Sequence, residues 1–103
     1  MFYTFRQNNS GGYFIRNNDV REFLIIEADN VEDAIGKMYD ITEDYSEYCP
    51  CCGERWSDYM DEDDADEVPS IWSEPVQNVS KAPYREDCII YYKDGRKEII
   101  EFK

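Results

Sequence analysis

Val20-Arg21-Glu22-Phe23-Leu24-Ile25-Ile26-Glu27-Ala28 is the stretch on which the fold turns. Its centre, Phe23-Leu24-Ile25-Ile26, is apolar at every position. A strand built from it must be covered on both faces, which predicts a central strand. Toward the N-terminus, apolar residues alternate over residues 2–6, Gln7-Asn8-Asn9-Ser10-Gly11-Gly12 forms a glycine-permissive break, and residues 13–16 read as strand again. That pattern predicts an N-terminal hairpin with a wide loop. Toward the C-terminus, Asp29 or Asn30 offers an N-cap, Glu32 and Asp33 suit a first turn, and Val31, Ala34, Ile35, Met38 and Ile41 recur at helical spacing. One amphipathic helix is expected to pack on the sheet.

A second hairpin is expected near the C-terminus, where residues 88–93 and 96–102 flank Asp94-Gly95, a dipeptide suited to a type I′ turn. These elements predict a single α+β domain over residues 1–103. It comprises a small antiparallel sheet (N-terminal hairpin, central strand and C-terminal hairpin) with one main helix. Residues 43–80 keep neither period and read as an irregular insert holding the cysteine turn, an acidic run, two tryptophans and three prolines. The chain shows no internal repeat, no apolar run of membrane-spanning length and no export leader at Met1, so a cytoplasmic protein is expected.

Within the insert, Cys49-Pro50-Cys51-Cys52-Gly53 reproduces a C-P-x-C-G turn. In such a turn proline fixes one backbone angle, glycine can take a positive φ, and two thiolates point at one zinc ion. Tetrahedral zinc needs four ligands, and a second CxxC is absent. Cys49, Cys52 and Cys88 with Cys51 or with a nearby carboxylate such as Glu54 or Asp58 can complete a structural zinc site, and so can a second chain. The alternative is a tight Pro/Gly loop with Cys51 and Cys88 as ordinary buried thiols. A reducing compartment disfavours disulfides in either case.

The net charge of −13 is concentrated: from Glu27 to Glu67 there are 16 acidic residues against Lys37 and Arg55, whereas the rest holds 8 acids and 9 bases. Within that block Asp58-Tyr59-Met60-Asp61-Glu62-Asp63-Asp64-Ala65-Asp66-Glu67 carries seven carboxylates and no cation. One reading is a solvated loop that supplies solubility. The other is an anionic face that meets a basic protein groove and can occupy one that otherwise holds nucleic acid. Direct nucleic-acid binding needs a cationic surface and is not expected. Tyr59, Trp56 and Trp72 flank the carboxylates and are candidate contact residues, with packing around the cysteine turn as the competing role. The candidate partner-binding set is therefore Asp58, Tyr59, Asp61, Glu62, Asp63, Asp64, Asp66, Glu67, Trp56 and Trp72.

Catalytic constellations are sparse. With no histidine, the commonest general base is missing, and no phosphate-cradling glycine motif is present, so a non-enzymatic role is expected. Consecutive solvated acids do not separate their pKa values as catalytic pairs do, and the run lacks the ligand spacing of a calcium loop.

Phe2-Tyr3-Thr4-Phe5-Arg6-Gln7-Asn8-Asn9-Ser10-Gly11-Gly12, Ile26-Glu27-Ala28-Asp29-Asn30 and Cys49-Pro50-Cys51-Cys52-Gly53-Glu54-Arg55-Trp56 together resemble a group of small, uncharacterised bacteriophage proteins. The likeness covers roughly the first 75 residues and implies an origin and an infected-cell cytoplasm, not a chemistry. Combined with the acidic block, it suggests an inhibitor or redirector of a host nucleic-acid-handling or defence protein, of the anti-restriction or anti-CRISPR kind, by DNA mimicry. Two other expectations stand beside it. One is a sponge for a nucleotide signal, using the amides of residues 8–12 with Arg6, Arg16 or Arg21. The other is a zinc-stabilised accessory or assembly protein.

Overall fold

A computed structural model describes residues 1–8, 13–45, 48, 49, 53–83 and 85–103, with residues 48, 49, 53 and 54 described by their backbone. Four strands form the main sheet: β1 (Phe2–Arg6), β2 (Phe23–Glu27), β7 (Asp87–Tyr91) and β8 (Lys97–Glu101), in the order β1-β2-β7-β8. The expected central strand is central. Phe23, Leu24, Ile25 and Ile26 are all buried, and they divide by parity between two cores. Leu24 and Ile26 join Tyr3, Phe5 and Ile89 beneath the main helix, α1 (Val31–Thr42), whose Ala34 and Met38 are fully buried. Phe23 and Ile25 join Phe2, Cys88 and Ile90 on the other face, under Ile71, Val76 and Val79 of the insert. The period-2 alternation of a strand thus explains why this sequence is apolar throughout: helix covers one face and insert the other.

Helix α1 starts as its sequence implies. Asn30 is the N-cap, and its side-chain oxygen accepts from the Asp33 amide at 2.8 Å, while Glu32 and Asp33 complement the positive end of the helix dipole. The C-terminal hairpin also forms, but with a different turn. The Tyr92 amide donates to Arg96 O, the Gly95 amide donates to Tyr92 O, and only Gly95 takes positive φ (+95°). This is a three-residue loop closed by a glycine bulge, in place of the two-residue type I′ turn.

Two further expectations are corrected. The sheet is mixed, because β2 and β7 run parallel, with Phe23 opposite Cys88 and Ile26 opposite Tyr91. The chain between them carries α1 and the insert, and such a crossover returns the strand in the same direction. The N-terminal hairpin does not form: β1 pairs antiparallel with β2, and residues 13–16 are not strand. The reason lies in Gln7. Its amide oxygen accepts from the Ile15 amide at 2.6 Å, and its nitrogen donates to Ile15 O and Arg21 O at 3.0 and 3.1 Å. One side chain therefore satisfies the backbone groups that a strand partner would have taken. The outer edge of β1 is left to the insert, through bridges from Phe2 to Asp66 and from Gln7 to Trp56.

Insert residues 43–80 contribute short pieces only: β3 (Tyr48–Cys49) with β4 (Gly53–Glu54), β5 (Ser70–Ile71) with β6 (Glu74–Pro75), and 3-10 turns at Glu43–Tyr45, Glu62–Asp64 and Val76–Asn78. Among the described residues no helix is long and apolar enough to cross a membrane.

Candidate functional site

Three contacts dock the acidic run against the folded body. At one end Phe2 and Asp66 exchange both backbone hydrogen bonds, at 2.7 and 2.8 Å. In the middle Glu62 accepts from the Tyr3 hydroxyl at 2.7 Å and from the Val31 amide, the first of α1, at 2.8 Å. At the other end the Tyr39 hydroxyl donates to Asp58 at 2.6 Å. The Val31 amide, followed by Tyr3, holds the Glu62 carboxyl below the usual carboxylate range, because a helix N-terminus favours negative charge. Asp61 and Asp64 close the short turn on themselves: the Asp61 amide donates to the Asp64 side chain at 2.9 Å and the Asp64 amide to Asp61 O at 3.0 Å.

The run so held is one wall of a cleft of about 310 Å³. Asp63, Asp64, Asp66, Tyr59 and Met60 line it from the run, Thr4, Arg6 and Phe23 from the sheet, and Ile71, Trp72 and Ser73 from the β5–β6 turn. Tyr59 and Trp72 are largely exposed, at 86% and 66%. Trp72 meets Phe23 edge to face at 5.6 Å, and the Arg6 guanidinium lies 5.8 Å from the Trp72 ring centroid and 5.7 Å from that of Phe23. Arg6 is also paired at 3.8 Å with Glu22, which is fully buried. Among the described residues no cation pairs with Asp63, Asp64 or Asp66. Partial burial, followed by the Asp64 charge, raises the Asp66 carboxyl.

Trp72 and Ser73 occupy left-handed backbone, with φ of +49° and +68°. They are the two central residues of a hairpin turn that normally selects asparagine and glycine. A bulky side chain there is a genuine conformational outlier, and such outliers gather at clamps and binding sites.

The other sequence-derived candidates fall elsewhere. Trp56 is buried at 2% exposure in the core under α1, so it is a packing residue and not part of a contact surface. Cys88 is buried in β7, and burial, followed by the Asp87 charge, pushes its thiol up to about 12. Cys49 belongs to β3, and Cys51 and Cys52 lie outside the described residues, as does most of the 8–12 loop. Among the described residues no cluster of three metal-ligating side chains occurs. Arg16 and Arg21 are engaged with acidic partners: Arg16 with Asp87 at 3.1 Å and Glu22 at 3.2 Å, Arg21 with Asp87 at 3.2 Å.

Arg55 has the largest unanticipated role. It is fully buried, and its Nη1 donates to Gln7 Oε1, Asn8 O and Tyr13 O at 2.9, 3.1 and 3.0 Å, with the Tyr13 ring 4.8 Å from its guanidinium. No periodic pattern signals this residue. Only its place beside the cysteine turn, in a block almost devoid of cations, sets it apart.

Fold and cleft define a small α+β scaffold that presents ordered carboxylates beside exposed aromatic rings. The chain belongs to the family described as a domain of unknown function, DUF7296, whose model matches residues 1–103. Comparison with curated proteins gives no match, and comparison with solved structures gives none either.

Proposed function

We propose that this chain is a phage-encoded acidic binding protein that engages a basic groove on a host nucleic-acid-handling or defence protein and thereby inhibits or redirects it, in the cytoplasm of the infected cell. The observation that supports this reading is the docking of the acidic run. Asp66 is bridged to Phe2 and Glu62 is bonded to Tyr3 and Val31. A carboxylate array held in place has already lost the conformational entropy that a floppy loop would lose on binding. Asp58, Asp61, Asp63, Asp64 and Glu67 remain exposed on it. Concentrated charge of one sign also speeds encounter with an oppositely charged groove. Binding, not catalysis, is the activity proposed.

Affinity purification from host lysate tests this. Wild-type protein is expected to retain basic nucleic-acid-binding proteins that added duplex DNA releases. A variant with Asp58, Asp61, Asp63, Asp64 and Glu67 changed to the amides is expected to lose them. Identical recoveries from both proteins, or complexes indifferent to DNA, would refute the reading.

A further inference from the structure

If the acidic face engages a basic protein, as proposed above, the cleft between Tyr59 and Trp72 has a specific job within that contact. We infer that it receives a single arginine side chain of the partner, with the guanidinium against the Trp72 ring and its N–H groups directed at Asp63, Asp64 and Asp66.

Charge selects a cation. Three carboxylates line the cleft without a cationic partner among the described residues, and the one cation in the lining, Arg6, is already paired with buried Glu22 at 3.8 Å. Burial together with the Asp64 charge makes ionised Asp66 less favourable than an ordinary carboxylate, and an incoming cation would relieve that cost. A phosphate-bearing ligand would meet the same three charges as repulsion. A divalent metal ion fits poorly, because no three acidic side chains among the described residues converge on one point.

Shape then selects arginine over lysine. A planar guanidinium stacks on an indole and still offers N–H groups around its edge to carboxylates that lie apart, whereas an ammonium is a compact, strongly hydrated point charge. Trp72 is two-thirds exposed and held on a strained turn whose residues adopt φ of +49° and +68°. Tyr59 adds a second exposed ring to the same cleft. The volume of about 310 Å³ suits one long side chain and excludes a folded element.

Calorimetric titration with hexa-arginine and hexa-lysine peptides tests the assignment, because the arginine preference reports the cleft and overall affinity reports the acidic face. Wild-type protein is expected to prefer hexa-arginine by about tenfold, between the values of an exposed and a fully desolvated cation–π contact. Trp72→Asn is expected to abolish that preference; asparagine tolerates the left-handed backbone, and an unchanged circular dichroism spectrum verifies folding. The double variant Asp63→Asn and Asp66→Asn should lose the preference as well. A variant with Asp58→Asn, Asp61→Asn and Glu67→Gln should bind both peptides more weakly yet keep it. No arginine preference in wild-type protein, or one that survives Trp72→Asn, would overturn the cleft assignment, while weakening in the last variant would leave the broader acidic-face reading intact. Failure to bind either peptide, or saturable binding of adenosine monophosphate that Trp72→Asn removes, would also overturn it.

Discussion

Replacing Arg55 by methionine, which keeps most of the buried stem and deletes the guanidinium, isolates the polar work of this side chain. Its Nη1 donates to Gln7 Oε1, Asn8 O and Tyr13 O, so the change strips a donor from three acceptors at once and removes the cation over the Tyr13 ring. A buried acceptor left without its donor costs about 1–3 kcal/mol. Gln7 Oε1 keeps the Ile15 amide, and the two carbonyls are only partly buried. Discounted for that remaining bond and that partial exposure, the three losses sum to about 3 kcal/mol. Against a typical stability of about 5–15 kcal/mol for a domain, that is a large fraction, and it lowers the melting temperature by roughly 20 °C. Urea denaturation followed by tryptophan fluorescence measures it, because Trp56 is buried beside this arginine and is exposed on unfolding. Arg96→Met is the control, since its side chain is 70% exposed and should leave the midpoint where it was. A loss below about 1 kcal/mol for Arg55→Met would refute the claim that this residue clamps Gln7, Asn8 and Tyr13 to the insert.

Alkaline pH should unfold the protein through its phenols. Burial raises Tyr3 and Tyr91 from 10.0 to about 12. The unfolded chain therefore ionises first, and the stabilisation, complete below pH 10, is lost as pH rises toward 12. Phenolate absorbance should show these two groups titrating together with loss of structure, and urea midpoints should be lower at about pH 11 than at about pH 9; equal midpoints would contradict this. Glu62→Gln should speed amide hydrogen exchange across residues 61–66 and at Val31 without unfolding the sheet, as the charged acceptor for Tyr3 and the helix start is lost; unchanged exchange would show that the run is docked without it. In a protein carrying Cys49→Ser, Cys51→Ser and Cys52→Ser, Cys88 should react with a thiol reagent only after denaturant is added, given its burial and raised thiol pKa. Elemental analysis should find stoichiometric zinc in wild-type protein and none in Cys49→Ser, and chelation should lower the melting temperature of wild-type alone. Metal-free wild-type protein would end the zinc proposal.

What could be read from the chain and what could not divide along physical lines. Local signals sufficed where the deciding interactions lie within a few residues: the all-apolar Phe23-Leu24-Ile25-Ile26 run, the Asn30 cap with its helical spacing, and a turn at Asp94-Gly95. The acidic run and the exposed Trp72 were likewise visible as candidates, because charge and aromatic content are properties of composition. Tertiary contacts decided the rest. Two tryptophans flank the same insert, yet Trp56 is buried because it bridges to Gln7 at the sheet edge, while Trp72 stays exposed because it caps a two-residue turn. The hairpin expected at residues 13–16 gave way to a glutamine side chain that satisfies Ile15. Sequence by itself determined the central strand, the helix, the C-terminal hairpin and where negative charge collects, since periodicity, caps and composition act locally. Only the assembled fold decided that β2 and β7 run parallel, that Arg55 is buried, and that Glu62 reaches Tyr3 and Val31. Each of those joins residues far apart in the chain, and loop closure between distant segments leaves no periodic trace in the residues it brings together.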